Sequence, residues 1–88
     1  MKLEEAFEII KRPHVTEKTY SLSNVQNEVV FLVRGDATKG MIREAVQKLY
    51  EVKVKSIRTM KDKNGKKAYV RLDSSSKASD LLSKLGVL

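Results

Sequence analysis

The side chains best suited to binding chemistry lie in one stretch, residues 52–72. It contains eight basic residues and one acid, Asp62; the basic residues are Lys53, Lys55, Arg58, Lys61, Lys63, Lys66, Lys67 and Arg71. The stretch carries the same net charge as the whole chain, +7, because the ten other basic residues are balanced by ten other acids. Such a concentration of positive charge favours a polyanion as partner. A solvated hairpin that keeps its lysines for solubility is the alternative.

The second half of this stretch alternates in character after a predicted turn. Asn64-Gly65 predicts a hairpin with a type I′ turn. The alternation that follows places Ala68, Val70 and Leu72 on one face of a strand and Lys67, Tyr69 and Arg71 on the other. A phenol ring between two cations suits phosphates and an unstacked base or sugar. Tyr69 could contact a ligand or pack across strands, and the pattern favours neither.

The first half of the stretch is less regular. In a regular strand Val52 and Val54 would lie on one face and Ile57 on the other. This predicts either a β-bulge or a strand that begins near Lys55.

Residues for enzyme chemistry are scarce. The chain has no cysteine, so neither a disulfide nor a thiolate metal site can form. His14 follows Pro13 and is interpreted as a turn residue, and the four separate glycines form neither a P-loop nor a dinucleotide fingerprint. An acylphosphatase would need a glycine-rich phosphate loop, and an RNA-recognition module would need a glycine and a second aromatic in KKAYVRL. We therefore predict that the protein is not an enzyme and needs no metal or cofactor.

The elements that position the basic stretch follow from periodicity and capping signals. We predict helices at 2–8 and 17–22, the second capped by Thr16, then a loop marked by Ser23, Asn24 and Asn27. Strands are predicted at 9–12 and 28–34, and the second, being almost wholly apolar, should be central or covered on both faces. Asp36 or Thr38 caps the next helix, whose apolar stripe is Ile42, Ala45, Val46, Leu49 and Tyr50.

The C-terminal part predicts one more helix. Ser74 to Ser76 form a polar connection and N-cap, Ala78, Leu81, Leu82 and Leu85 form the apolar stripe, and Gly86 closes the helix. The resulting order predicts a single α+β domain over residues 1–88, with helices packed on a four-stranded, largely antiparallel sheet. The absence of a long apolar run or a signal-type N-terminus predicts a soluble, cytoplasmic protein without membrane insertion.

Four segments of the chain together resemble a known family. The run IKRPHVTEK at 10–18 resembles the opening motif of the large-subunit ribosomal protein number twenty-three. Asp36-Ala37-Thr38-Lys39, followed by Ile42, Ala45 and Val46, resembles its central helix. Val52-Lys53-Val54 with Thr59 resembles the next strand, and KKAYVRL at 66–72, with Leu81 downstream, is similar to its signature.

The resemblance implies a structural protein that binds large-subunit ribosomal RNA near the exit of the nascent-chain tunnel. Its neighbour there would be the large-subunit ribosomal protein number twenty-nine, and its exposed face would dock nascent-chain factors such as the signal recognition particle. Glu17 matches the family's factor-docking acid, although it also suits the first turn of a helix. The short segment 60–67 resembles the archaeal form, without the tunnel-reaching loop of bacterial members.

The combined prediction assigns phosphate binding to the basic residues of 52–72, assisted by Lys11, Arg12, Lys18 and Lys39, with Tyr69 as the aromatic contact. The alternative from another functional class is a protein–protein adaptor whose basic hairpin binds an acidic partner.

Overall fold

The structure, a computed structural model, describes residues 1–63 and 65–86. In chain order its elements are α1 (Leu3–Ile9), β1 (Ile10–Pro13), α2 (Glu17–Val25), β2 (Glu28–Val33), α3 (Lys39–Tyr50), β3 (Val54–Asp62), β4 (Gly65–Leu72) and α4 (Ala78–Lys84). The predicted α+β class is confirmed. The first helix and the first strand each lie one residue further along the chain than predicted, within the usual uncertainty of element ends.

The four strands form one sheet in the order β1-β2-β4-β3, and each described pair is antiparallel. All six residues of β2 are buried. The prediction that this apolar run is central in a sheet is confirmed, since β2 has a strand on each side.

One face of the sheet packs against helices. Val29, Phe31 and Val33 of β2 join a single buried cluster with the apolar residues of α1, α3, α4 and β4. The ring of Tyr50, predicted to be a core residue, stacks on that of Phe31 with centroids 5.6 Å apart. Each large side chain buried here contributes roughly 1.5–3 kcal/mol to stability, so this cluster holds the opposite face of the sheet in place.

The β3–β4 hairpin has the predicted irregularity. The register shifts between Val54 and Ser56, which confirms a bulge at Lys55. From Ser56 to Asp62 the pairing with β4 is unbroken. The predicted type I′ turn includes Asn64, which lies outside the described residues. Its other residue, Gly65, was expected at the centre of the turn but instead pairs with Asp62 as the first residue of β4, and its φ of 111° suits glycine.

The predicted end of α2 is wrong. Ser23 and Asn24 were expected in a loop, but the helix continues to Val25. Ser23 is buried, and its hydroxyl donates to the Tyr20 carbonyl at 2.6 Å within the helix, so its polarity is satisfied without breaking the helix. The helix stops before Asn27, which adopts a left-handed φ of 57°.

The predicted cap of α4 is also wrong. Ser74 to Ser76 form a connection, as expected, but the N-cap is Lys77, whose side chain makes no capping hydrogen bond. Instead Asn27 Oδ1 accepts a 2.7 Å hydrogen bond from the Ala78 amide, 51 residues along the chain. The N-cap of α3, predicted as Asp36 or Thr38, is Thr38, because its Oγ1 accepts from the Met41 amide whereas Asp36 pairs with Arg34. The Gly86 amide donates to the Ser83 carbonyl at 3.1 Å, which confirms the prediction that Gly86 closes α4.

Candidate nucleic-acid interface

The face of the sheet turned away from α1, α3 and α4 forms one basic surface. Strand register places cross-strand partners on the same face, so the rows Glu28–Arg71–Ser56, Val30–Tyr69–Arg58 and Leu32–Lys67–Met60 lie side by side. Arg12 extends the third row as the partner of Leu32. We call this set the outer face: Arg12, Glu28, Val30, Leu32, Ser56, Arg58, Met60, Lys67, Tyr69 and Arg71. It carries four cations and one carboxylate.

A cation–aromatic pair occupies the middle of the outer face. The Arg58 guanidinium lies 4.5 Å from the centroid of the Tyr69 ring, within the range of a cation–π interaction. Cross-strand packing, one of the two roles left open for Tyr69, is therefore present. The Arg58 side chain is still 62% exposed, so the pair offers both charge and a flat surface to solvent.

A buried carboxylate fixes the position of this pair. The Glu28 side chain is only 5% exposed, and its Oε2 lies 3.7 Å from Arg58 Nη2. Among the described residues Oε2 has no hydrogen-bond partner, so the contact with Arg58 is electrostatic. Removing the cation would leave a buried charge uncompensated, which is costly. Sequence reasoning missed this role of Glu28, although its parity with Val30 and Leu32 indicated a position on the face opposite the core.

Two grooves lie at opposite ends of the outer face. One, of about 390 Å³, is lined by Lys11, Arg12 and Lys66 with Gly35 and Gly65 beside them. The other, of about 400 Å³, is lined by the cations Lys55 and Arg71 and by polar residues at the end of α2, including Asn24 and Gln26. Arg71 Nη2 donates to Gln26 Oε1 and so ties the second groove to α2.

The structure brings together only some of the thirteen predicted RNA-binding residues. Arg12, Arg58, Lys67, Tyr69 and Arg71 share the outer face, and Lys11, Lys55 and Lys66 line its grooves. The others lie elsewhere: Lys18 on α2, Lys39 at the start of α3, Lys53 before β3, Lys61 on the core-side parity of β3 and Lys63 after it. Lys66 shares the parity of Lys61 and donates to the Ala37 carbonyl at 2.6 Å.

Glu17 is not a residue of the outer face; it is exposed in the first turn of α2. The turn is closed by a reciprocal cap in which Thr16 Oγ1 accepts from the Thr19 amide and Thr19 Oγ1 accepts from the Thr16 amide. The Thr19 hydroxyl also lies 3.0 Å from the carbonyl of His14, whose amide donates to Val30. This arrangement presents Glu17 to solvent from a capped helix start, and His14 lies in the connection between β1 and α2 rather than in a turn.

The acids with perturbed titration serve local structure. The Arg34 side chain, whose Nε donates to Asp36 at 2.6 Å, lowers the pKa of that carboxyl, and hydrogen bonds from Ser75 lower the pKa of Asp73. Neither belongs to the outer face. Across residues 1–63 and 65–86, no three metal-ligating side chains cluster to hold an ion, and no helix has the length and apolar character needed to cross a bilayer.

Comparison with known proteins gives consistent matches along the chain. The family model described as ribosomal protein L23 matches residues 8–80. The large ribosomal subunit protein uL23 of Pyrobaculum aerophilum is 48% identical over 81 residues, which cover 91% of this chain and 100% of that protein. The uL23 of Methanobrevibacter smithii is 42% identical over 84 residues, covering 94% and 98%. That of Alkalilimnicola ehrlichii is 42% identical over 73 residues, covering 83% and 74%.

The coverage agrees with a short form of the protein. The two archaeal relatives align over nearly their whole length, and the described β3–β4 pairing runs as far as Asp62 and Gly65. Members of this family are structural proteins of the ribosome rather than enzymes. The family model covers most of the chain and the relatives share well over a third of its residues, so the chain belongs to the ribosomal protein L23 family.

Proposed function

We propose that this structural constituent of the large ribosomal subunit, a protein of the cytoplasm, binds large-subunit ribosomal RNA through its outer face. The observation that carries the proposal is the outer face itself, where Arg12, Lys67 and Arg71 lie around the Arg58–Tyr69 pair, whose guanidinium is exposed. Membership in a ribosomal protein family supports RNA as the polyanion.

The outer face divides into two kinds of contact. Arg12, Lys67 and Arg71 present cations along the sheet, and β4 alone spaces the last two by about 13 Å, at roughly 3.3 Å per residue. These cations would neutralise phosphates. The Arg58–Tyr69 pair offers a flat surface for an unstacked base or a sugar, the feature that proteins use most often to recognise single-stranded RNA segments. Lys11 and Lys55 would add phosphate contacts from the two grooves.

The same proposal places the protein near the tunnel exit, beside the large-subunit ribosomal protein number twenty-nine. There the exposed start of α2 would contribute to the docking site of nascent-chain factors such as the signal recognition particle. Glu17 supports this part of the proposal, because it is an exposed carboxylate in the first turn of a capped helix.

Salt dependence provides the first test. If the four outer-face cations, Lys11 and Lys55 neutralise about six phosphates, the logarithm of the binding constant should fall with the logarithm of salt concentration at a slope of about −4 to −5. The measurement is a titration of the full chain with structured large-subunit RNA fragments at several salt concentrations. A slope near zero would exclude phosphate neutralisation as the source of affinity.

A competition assay separates RNA binding from an adaptor role. Poly-glutamate, which offers acidic charge without bases or sugars, should fail to displace the RNA at equal charge concentration. Equal displacement by the acidic polymer would favour the adaptor alternative.

Glu17 provides a separate prediction about factor docking. Glu17→Lys should strongly reduce binding of the signal recognition particle to ribosomes that carry the variant, because it reverses the charge of the docking acid. Co-sedimentation measures both factor binding and incorporation of the variant into the subunit, which should be normal. Glu17→Gln is the control for the first-turn charge, whose contribution to helix stability is only about 0.3–1 kcal/mol. Normal factor binding by Glu17→Lys would remove Glu17 from the docking site.

A further inference from the structure

The helix α1 exposes two large apolar side chains beside each other. Phe7 is 65% exposed and Leu3 is 51% exposed. Their i, i+4 spacing places them on the same side of the helix. We call this pair the α1 flank. A single exposed apolar residue is ordinary, but adjacent ones on one helix side indicate a contact surface.

The α1 flank points away from the rest of the helical layer. Ala6 and Ile9 bury the inner side of α1 in the core. On its far side, Glu5 lines a groove together with Met41 and Glu44 of α3. At about 100° per residue, Glu5 lies roughly half a turn around the helix from the α1 flank, so α3 does not cover Leu3 or Phe7.

Two acids run parallel to the α1 flank. Glu4 and Glu8 have the same i, i+4 spacing and lie next to Leu3 and Phe7 around the helix. Both are exposed, and the only ion pair that either makes among the described residues is a 3.9 Å contact between Glu8 and Arg34 at the surface. An exposed pair at that distance contributes little, so both carboxylates remain available to a partner.

This charge pattern decides the class of partner. An apolar pair bordered by carboxylates repels RNA phosphates and anionic lipid headgroups, in contrast to the outer face. It complements a surface that combines apolar side chains with lysine or arginine. A partner aromatic or leucine packed on Phe7 would remove apolar area from water, at about 25 cal/mol per Å².

We propose that the α1 flank docks a basic amphipathic helix of a neighbouring protein. Apolar side chains of that helix at i and i+4 pack on Leu3 and Phe7, and its lysines or arginines at the adjacent i and i+4 positions face Glu4 and Glu8. The contact uses neither the outer face nor Glu17, so it goes beyond the proposed function and does not depend on RNA binding.

A charge-swap experiment tests this proposal on the full chain. The probe is a synthetic helical peptide with leucines at i and i+4 bordered by lysines, and its counterpart carries glutamates in place of the lysines. The lysine peptide should bind, and Phe7→Ser should weaken it about tenfold or more. Glu4→Lys/Glu8→Lys should weaken it similarly and create affinity for the glutamate peptide. Val25→Ser is the matched control, because Val25 is 77% exposed on another helix and its change should leave binding unaltered.

Three results of the peptide experiment would overturn the proposal. Equal binding to wild type and Phe7→Ser would show that the peptide uses another surface. If Glu4→Lys/Glu8→Lys bound the lysine peptide as well as the wild type does, or did not bind the glutamate peptide, the two glutamates would have no role in docking. Phe7-dependent dimerisation in sedimentation, without peptide binding, would make a second copy of this chain the occupant. Because RNA affinity should be unchanged in Phe7→Ser, absence of RNA binding by the wild-type chain would count only against the proposed function.

A photo-crosslinker at position 7 tests the same contact in the assembled large subunit. The crosslinked segment, identified by mass spectrometry, should be a protein helix with leucines or aromatics and lysines or arginines at the stated spacing. A crosslink to RNA, to an acidic segment or to nothing would overturn the proposal.

Discussion

Replacing the charges of the outer face should reduce affinity for structured large-subunit RNA by roughly 10³-fold, if each of four cations contributes about 1 kcal/mol. The variant combines Arg12→Gln, Arg58→Gln, Lys67→Gln and Arg71→Gln. It also carries Glu28→Gln, because the buried carboxylate would otherwise lose its neighbouring cation. The measurement is RNA binding at fixed salt, and the slope of affinity against salt should become shallower by about three to four units.

The control variant has the same net charge. Lys53→Gln, Lys61→Gln and Lys63→Gln remove three cations from the same basic stretch, residues 52–72, but from outside the outer face, so each variant falls three units below the wild-type +7. We expect this control to lose about tenfold or less. Equal losses would show that the hairpin acts through its total charge rather than through the geometry of the sheet, and circular dichroism with urea unfolding checks that both variants fold.

Asn27→Ala should lower the free energy of unfolding by about 2–4 kcal/mol, a large effect for a residue outside the core. Asn27 Nδ2 donates to the carbonyls of Leu72, Asp73 and Ser76 at 3.2, 3.3 and 2.8 Å, and Oδ1 accepts from the Ala78 amide. The side chain therefore joins the start of β2, the end of β4 and the beginning of α4. Urea unfolding midpoints provide the measurement.

Two further variants separate the causes of this loss. Asn27→Gly keeps the left-handed φ of 57° accessible but removes the hydrogen bonds, so it should be destabilising by less than alanine. Asn24→Ala, at an exposed position on α2, should change stability by no more than about 0.5 kcal/mol. If Asn27→Ala unfolded at the wild-type urea concentration, the network would have no net stabilising role.

Local patterns predicted the parts of the fold that depend on neighbouring residues. The break in parity between Val54 and Ile57 allowed a bulge or a strand that begins near Lys55, and the bulge is present. The apolar run of β2 predicted a strand that is central or covered on both faces, and β2 is central. The predicted Asn64-Gly65 turn would have placed Arg58 opposite Arg71, but the structure pairs Asp62 with Gly65 and Arg58 with Tyr69, so this register could not be derived from the predicted turn.

Contacts between distant residues could not be predicted in this way. The serines at 74–76 have the composition of a helix cap, but the cap comes from Asn27, far away along the chain. Ser23 and Asn24 have loop composition, yet α2 continues because the Ser23 hydroxyl finds a partner inside the helix. The basic hairpin was correctly seen as a concentration of charge. The alternation in β4 already assigned Lys67 and Arg71 to one face. The place of Arg58 beside them depends on the register between β3 and β4, and that of Arg12 depends on the pairing of β1 with β2.

The sheet order has a consequence for the protein before it reaches its partners. β3 occupies an edge of the sheet and is nine residues long, the kind of strand that invites addition of another chain and aggregation. The bulge at Lys55 distorts this edge, and the exposed Lys55 and Lys61 along it would bring like charges together if two copies aligned. The edge strand that carries Arg58 of the outer face should therefore disfavour pairing with a second copy of the chain before assembly.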